Sequence, residues 1–351
     1  MTYTLIIQNV LVNLVPITIR DVARRLNLSI TTVSRALDGY DDVAKATRQR
    51  VIRTAREMGY APSHTARQLR RSRADAIGYI LPTSDPRFTD PFFSEFIAGL
   101  GDETTLHNLD LMISTAPPDK PAERQMYERW VRSRRVDGIV LSRMRTRDWR
   151  VKYLIKNEFP VVALGHTLLS IDLPYVEVDA RAGFVLMVKH LVERGHKRIA
   201  YIGAPENLTL QVDRLAGFRD GVEATGLTFD ESLIVRGDLT RAGGYQAAQR
   251  LLSLREPPTA IMGANDLTAI GAMRAAHERG LVVGRDVAIA GYDGIEDGEH
   301  THPPLTTLKR SVYDLARRLV NMLLTIIEGE PLTERQVMLP PELIVRGSTG
   351  G

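Results

Sequence analysis

The 351-residue chain contains no cysteine, which excludes disulfide bonds, zinc sites built from thiolates and a cysteine nucleophile. This composition fits a reducing compartment. The chain also lacks any run of about 20 apolar residues, the length that a membrane-spanning helix requires. Its apolar fraction of 44% and charged fraction of 25% are instead those of a soluble globular protein.

Sequence motifs for catalysis and nucleotide binding are missing as well. No Gly-x-Gly-x-x-Gly, Gly-Lys-Ser/Thr, Gly-x-Ser-x-Gly or His-Glu-x-x-His pattern occurs where such chemistry would need it. His300 and His302 resemble half of a metal site, but they precede two prolines in an irregular segment and we interpret them as surface residues. We therefore predict that the chain is not an enzyme and holds no cofactor or metal.

Positive charge is concentrated in one short segment. Residues 17–73 carry 13 Lys and Arg against five Asp and Glu, whereas residues 74–351 carry 33 basic and 37 acidic side chains. Such a concentration is the footprint of a polyanion-binding domain, and a solvated basic face has the same composition. Charge alone leaves both interpretations open.

Two short helices joined by a tight turn are predicted within residues 17–37. Thr18 lies three residues before Asp21, as in a capping box, and predicts the start of the first helix. Ser29 can cap the second helix, whose outer face offers small hydroxyls and one guanidinium suited to a DNA major groove. A third helix is predicted over about 45–58. This order is typical of a helix-turn-helix domain.

The first 16 residues are apolar, but they lack the basic start and the small-residue cleavage site of an export signal. We interpret residues 1–16 as a disordered or mispredicted start, with translation beginning near Val15. From Ala74 onwards, short β-branched runs alternate with amphipathic helices. This alternation predicts parallel, doubly wound sheets.

Polar side chains follow the ends of several predicted strands, where ligands of such sheets bind. Bidentate donors and carboxylate acceptors suit the vicinal hydroxyls of a sugar, and such groups are offered together by Arg214, Asn265 and Asp293. A structural ion pair between Arg214 and Asp293 is the alternative. Arg143 and Trp149 are additional candidates, and a core position for Trp149 is equally consistent with the sequence.

Three ordered stretches, residues 18–23, 29–37 and 51–62, together resemble the headpiece of the lactose-repressor (LacI/GalR) family of transcription regulators. The resemblance implies a DNA-binding headpiece over 17–62 and a hinge helix or linker over 63–73. In the hinge, Leu69 would be the wedge that opens a base step in the minor groove.

The resemblance also implies roles for individual residues of the second helix. It places Ile30, Thr31 and Arg35 at base-reading positions, with Ser29 and Thr32 nearer the phosphates. The alternative for Ile30 is simple packing in the core of the headpiece.

Seven motifs extend the resemblance through the rest of the chain: 90–93, 136–139, 195–200, 214–218, 265–266, 291–293 and 304–307. They imply an effector-binding and dimerisation core over 74–351, made of two Rossmann-like subdomains similar to type I periplasmic sugar-binding proteins. The implied N-subdomain covers about 74–178 and 308–332, and the C-subdomain about 179–307 and 333–351. Chain crossings are expected near Val178, Leu308 and Leu332.

For the effector, the resemblance implies contacts from Arg214, Asn265 and Asp293, an apolar wall from Phe93, and Asp179 nearby. We therefore predict a cytoplasmic repressor of carbohydrate-utilisation genes that binds near-palindromic, double-stranded operator DNA as a homodimer. Its effector is predicted to be a sugar or sugar phosphate. A regulator dependent on a purine or other metabolite as co-repressor stays open. So does a sugar-binding transport protein, which belongs to a different class.

Overall fold

The computed structural model describes residues 17–60, 73–83 and 90–350. The chain divides into two compact units, residues 1–73 and residues 74–351. The predicted hinge with Leu69 and the first 16 residues lie outside the described residues, so their predicted roles stay predictions.

Three helices form the first unit: α1 (Ile19–Leu26), α2 (Ile30–Leu37) and α3 (Lys45–Glu57). The predicted capping box opens α1, since the Thr18 backbone N–H and hydroxyl both donate to Asp21, at 2.9 and 2.6 Å. Each helix contributes one apolar face to a small shared core, which includes Val22, Leu26, Val33, Ala36, Val51 and Ala55.

The second unit begins with an alternation of strands and helices that builds an N-terminal sheet. Its elements are β1 (Ala76–Pro82), α4 (Pro91–Leu106), β2 (Asp110–Ala116), α5 (Pro121–Arg132), β3 (Gly138–Leu141), α6 (Trp149–Lys156), β4 (Val161–Leu164) and β5 (Tyr175–Val178).

A second alternation follows and builds a C-terminal sheet before the chain returns. Its elements are α7 (Ala180–Glu193), β6 (Ile199–Ile202), α8 (Thr209–Ala224), β7 (Ile234–Val235), α9 (Arg241–Leu251), β8 (Ala260–Gly263), α10 (Asp266–Glu278), β9 (Ala288–Asp293) and β10 (Thr306–Lys309). The returning elements are α11 (Val312–Ile327), β11 (Gln336–Leu339) and β12 (Glu342–Ile344).

Both sheets are six-stranded, with orders β11-β5-β4-β3-β1-β2 and β12-β10-β9-β8-β6-β7. All pairings in them are parallel except that of β10 with β12. Helices α4 and α11 cover one face of the N-terminal sheet and α5 and α6 the other; α7 and α8, and α9 and α10, cover the C-terminal sheet in the same way. Burial on both faces explains why the central strands are continuously apolar. The predicted doubly wound sheets are confirmed.

The chain crosses between the two sheets three times, and the third crossing differs from its predicted place. The first follows Val178, and the second follows β10, at Arg310. The third was predicted near Leu332 but lies at Pro340–Pro341, because residues 336–339 pair with β5 in the N-terminal sheet. Residues 333–339 therefore belong to the N-subdomain, and only the segment from 340 onwards returns to the C-subdomain.

Candidate functional site

Helix α2 presents the predicted DNA-reading residues on its outer surface. Ser29 caps the helix, because its Oγ accepts a hydrogen bond from the Thr32 backbone N–H at 3.0 Å. Ile30 is 46% exposed, which overturns the alternative that it packs in the core. Thr31 is exposed on the same face as Arg35, one helical turn later. Val33 is fully buried and attaches the helix to the rest of the headpiece.

The guanidinium of Arg35 has partners that the sequence did not reveal. Asp42, in the loop after α2, lies 2.5 Å from Arg35 Nη2. The ring of Tyr40 lies beneath the same guanidinium, with its centroid 4.7 Å from Cζ. Both partners come from the same loop, so the side chain of Arg35 is oriented by its own headpiece.

In the core, a cavity of about 280 Å³ lies between the carboxyl ends of the two sheets. The N-subdomain contributes segments that follow β1, β2 and β3, and the C-subdomain contributes segments that follow β6 and β7. Its lining includes Phe93, Asp90, Arg143, Arg145, Arg150, Asn207, Leu208, Asp238, Leu239 and Thr240. This is where doubly wound sheets bind ligands.

Phe93 and Arg143 form one wall of the cavity. The guanidinium carbon of Arg143 lies 5.3 Å from the centre of the Phe93 ring, and its Nη2 lies 2.5 Å from Asp90 Oδ2. Burial raises the pKa of Asp90, and the positive charge of Arg143 opposes this shift. Phe93 and Arg143 thus both line the cavity, and the effector contacts predicted for them stay predictions.

Asp293 is buried and paired with Arg310, whose Nε and Nη2 donate to Asp293 Oδ1 at 2.9 and 2.6 Å. The alternative of an ion pair between Arg214 and Asp293 is therefore wrong, because Arg310, just after β10, takes that place. Asp293 has a φ of 122°. Such a conformation is costly for a residue other than glycine and concentrates at functional sites.

Arg214 is buried in the second turn of α8 and lies over the ring of Tyr292, with Cζ 3.9 Å from the ring centre. It donates to the carbonyl oxygen of Ala264, at the end of β8. Its Nε is buried and has no hydrogen-bond partner among the described residues. One donor of Arg214 is therefore unpaired, and it lies outside the lining of the cavity.

Asn265 and Asp179 use their side chains as helix caps. Asn265 Oδ1 accepts from the Thr268 backbone N–H at 3.0 Å, and its Nδ2 donates to the Leu239 carbonyl. Asp179 Oδ1 accepts from the Ala182 backbone N–H at 2.8 Å. Neither residue lines the cavity, and neither do Arg214 and Asp293, so the effector contacts predicted for all four stay predictions.

Arg145 is a cavity residue that the sequence analysis missed. It is 6% exposed, and its Nη2 forms two hydrogen bonds with the carboxylate of Glu123, at 2.7 and 2.9 Å. Nearby, the backbone of Arg145 forms an antiparallel bridge with Leu208 across the cleft. Arg145 reaches the cavity only because two segments distant in sequence pair there, so the local sequence pattern gives no signal for its position. Trp149 instead packs edge-on against Tyr127 in the N-subdomain core.

His166, Glu177 and Asp213 form a second cluster in the cleft, where the two subdomains meet. His166 Nδ1 lies 2.7 Å from Glu177 Oε2, and its Nε2 lies 3.9 Å from Asp213 Oδ1. The hydrogen bond to Glu177 raises the pKa of His166, and burial raises the pKa of Asp213 to about 6. By spacing alone the three could hold a metal ion, but their mutual contacts explain the arrangement without one.

Within the described parts of the chain, no helix combines the length and apolarity that a membrane crossing needs. Two family models match the sequence. Residues 18–63 match the bacterial regulatory proteins of the lacI family, and residues 188–349 match a periplasmic binding protein-like domain.

Known proteins resemble the chain over nearly its whole length. The transcriptional regulator AglR of Rhizobium meliloti (strain 1021) is 34% identical over 339 residues, which cover 95% of each chain. The lac repressor dimer bound to operator and the anti-inducer ONPF has a TM-score of 0.83 at 27% identity, covering 96% of this chain and 100% of that one. The complex of the transcriptional regulator CelR with cellobiose has a TM-score of 0.74 at 29% identity, covering 95% and 99%. The chain belongs to the LacI family of DNA-binding transcription regulators.

Proposed function

We propose that this regulator represses carbohydrate-utilisation genes in the cytoplasm, as a homodimer on a near-palindromic operator, and that a sugar in the cleft controls its hold on DNA. The observation that carries the proposal is the cavity between the carboxyl ends of the two sheets, in a chain that also has a helix-turn-helix headpiece. The cleft binds its ligand without changing it chemically.

In the headpiece, base reading falls to Ile30, Thr31 and Arg35, which all reach the outer surface of α2. Ser29 and Thr32 lie at the N-terminus of the helix, where hydroxyls and backbone N–H groups suit phosphate oxygens. Two such helices are needed, because one headpiece offers few base contacts. A symmetric dimer would match two half-sites.

In the cleft, the ligand meets an aromatic wall at Phe93 and donors from Arg143 and Arg145, and the buried Nη1 of Arg145 has no hydrogen-bond partner among the described residues. A sugar suits this combination, since its ring faces pack on aromatic groups while its hydroxyls accept hydrogen bonds. The arginines that line the cavity are already paired with carboxylates. That pairing favours an uncharged sugar over a sugar phosphate. The similar CelR complex contains cellobiose.

The cleft is also suited to transmit binding to the rest of the chain. Residues of both subdomains line it, and Met144, Thr146, Asn207 and Thr209 join the subdomains by backbone hydrogen bonds of 2.9 Å. A ligand that prefers one degree of closure shifts the equilibrium between closures. If operator DNA binds more tightly to a different degree of closure, the protein then loses affinity for DNA.

A thermal-shift screen of the full-length protein tests the proposal, with mono- and disaccharides in one set and purines and nucleosides in another. Each hit is then added to the protein bound to a DNA site that the protein itself has selected from a randomised duplex library. The proposal expects at least one uncharged sugar to raise the melting temperature and to weaken DNA binding. Hits confined to purines that strengthen DNA binding would replace it with the co-repressor alternative.

A further inference from the structure

The loop that follows α2 brings a carboxylate and an aromatic ring against Arg35. Asp42 Oδ2 lies 2.5 Å from Arg35 Nη2, and Asp42 Oδ1 accepts from Arg35 Nε at 3.1 Å. The ring of Tyr40 covers one face of the guanidinium at 4.7 Å. One edge and one face are thus occupied, which leaves Nη1 and the second hydrogen of Nη2 directed away from Asp42.

The loop that carries Asp42 is itself held in place. The Tyr40 backbone N–H donates to the Arg35 carbonyl at 3.1 Å, and the Val43 N–H donates to the Tyr40 carbonyl at 3.3 Å. The same Tyr40 carbonyl accepts from Arg48 Nη2 at 2.5 Å, and the Val43 side chain is buried. Asp42 therefore approaches Arg35 from a fixed backbone.

The pair is poorly placed to stabilise the fold. The side chain of Arg35 is 43% exposed and that of Asp42 is 55% exposed, and ion pairs this exposed contribute little to folding. Its geometry suits reading instead. Guanine presents O6 and N7 side by side in the major groove, and the two terminal nitrogens of an arginine can bond both at once. A guanidinium that is already oriented loses less freedom when it does so.

We propose that Asp42 is a positioning residue for operator reading, which holds Arg35 so that its terminal nitrogens face a guanine. This role rests on the base-reading function proposed for Arg35. Asp42 acts through Arg35, so its effect appears as discrimination between bases at one position of each half-site.

Removing a negative charge near DNA has an effect of its own, which differs from the positioning of Arg35. A substitution of the neighbouring Asp41 distinguishes the two effects. The Asp41 side chain is fully exposed, and its nearest basic partner is Arg48, at 3.9 Å. Asp41→Ala removes the same charge as Asp42→Ala from the same loop, without touching Arg35. Loss of either charge raises affinity for every DNA sequence alike, because phosphate repulsion is independent of sequence.

The test measures which sequences each full-length variant selects from a randomised duplex DNA library. The variants are Asp42→Ala, Asp41→Ala, Arg35→Ala and the double variant Arg35→Ala/Asp42→Ala. We expect Asp42→Ala to lose about tenfold discrimination for guanine at the position where Arg35→Ala loses its preference. The double variant loses no more than Arg35→Ala alone, and Asp41→Ala keeps the discrimination of the wild type. Hydrogen exchange of the α2 amides checks that every headpiece stays folded.

Two results would overturn the role of Asp42 alone. One is full discrimination in Asp42→Ala while Arg35→Ala loses it. The other is an additional loss when Asp42→Ala is combined with Arg35→Ala, which would mean that Asp42 contacts DNA independently. If Arg35→Ala selects the same sequences as the wild type, the base-reading function of Arg35 fails, and the role of Asp42 fails with it.

Discussion

Four arginines around the cleft are each compensated by a carboxylate. Each of four arginines in or beside the cleft lies within 2.7 Å of a carboxylate oxygen; the pairs are Arg143–Asp90, Arg145–Glu123, Arg150–Asp148 and Arg310–Asp293. A buried pair of this kind adds little net stability compared with apolar residues, but removing one partner strands the other charge. Substitutions in the cleft therefore affect folding as well as binding.

Asp293→Ala is expected to lower the free energy of unfolding of the core by about 3–5 kcal/mol, because it leaves Arg310 charged, buried and unpaired. Urea denaturation followed by tryptophan fluorescence measures this change, since both tryptophans, Trp130 and Trp149, lie in the core unit. The double variant Asp293→Ala/Arg310→Leu is the control and should regain much of the loss. A single variant as stable as the wild type would show that Asp293 is not needed to balance Arg310.

At the level of helices and strands, the N-terminus of α2 differs from that of α3 in its capping. Ser29 gives α2 a side-chain cap, whereas Ala44 at the N-terminus of α3 offers none. A helix that begins without a cap leaves backbone N–H groups unsatisfied. The headpiece thus contains one optimised helix start and one that a single substitution can improve.

Ala44→Ser is expected to stabilise α3 by about 1 kcal/mol, and Ser29→Ala to destabilise α2 by about the same amount. Hydrogen exchange of the amides in Lys45–Glu57 and Ile30–Leu37 measures both changes. Ala46→Ser, inside the first turn of α3, is the control and should not slow exchange. Unchanged protection in Ala44→Ser would mean that water or another group already satisfies the start of α3.

His166 and Asp213 should make the stability of the core depend on pH, because the hydrogen bond to Glu177 raises the pKa of His166 and burial raises that of Asp213. Folded Asp213 keeps its proton up to about pH 6, whereas its ordinary pKa is 3.8; the pKa of His166 is also raised. The folded state therefore binds more protons than the unfolded state, and these two groups lower the free energy of unfolding as pH rises from about 4 through 7.

Urea denaturation across this pH range measures the dependence. Relative to the wild type, Asp213→Asn should remove the part of the slope between about pH 4 and 6, and His166→Gln the part above pH 6.5. Asp220→Asn on the same helix gives a contrast of opposite sign. Its hydrogen bond from Arg181 lowers the pKa of Asp220, so this carboxylate stabilises the fold above its ordinary pKa and ceases to do so as pH falls. Equal slopes in the wild type and Asp213→Asn would refute the assignment.

Across the complete chain, the headpiece and the ligand cleft belong to different units. Coupling between a cleft ligand and operator DNA must therefore pass through states of the protein that both ligands distinguish. Such coupling is a single free energy, and it acts equally in both directions.

A sugar that weakens operator affinity by some factor should itself bind more weakly, by the same factor, when the operator is present. Couplings of this kind are typically about 5- to 150-fold. Titrations of DNA at saturating sugar, and of sugar at saturating DNA, give the two factors independently. A sugar that reduces DNA binding, but whose own affinity for the protein is the same with and without DNA, would contradict a linked two-site mechanism.

The local features of this protein could be predicted from the residues because they depend on neighbours a few positions apart. Thr18 and Asp21 form their capping box, Ser29 bonds Thr32, and apolar runs become buried strands. These patterns, with the motif resemblance, were sufficient for the fold class, the family and the outer face of α2.

Pairing between distant residues could not be read from local pattern. The partner of Asp293 is Arg310, 17 positions later, and Arg145 pairs with Glu123, 22 positions earlier. The third crossing lies later in the chain than predicted, because β11 pairs with β5 in the N-terminal sheet. Such choices depend on which segments the fold brings together and which charges it buries, so Arg145 and the hold of Asp42 on Arg35 became visible only once the chain was folded.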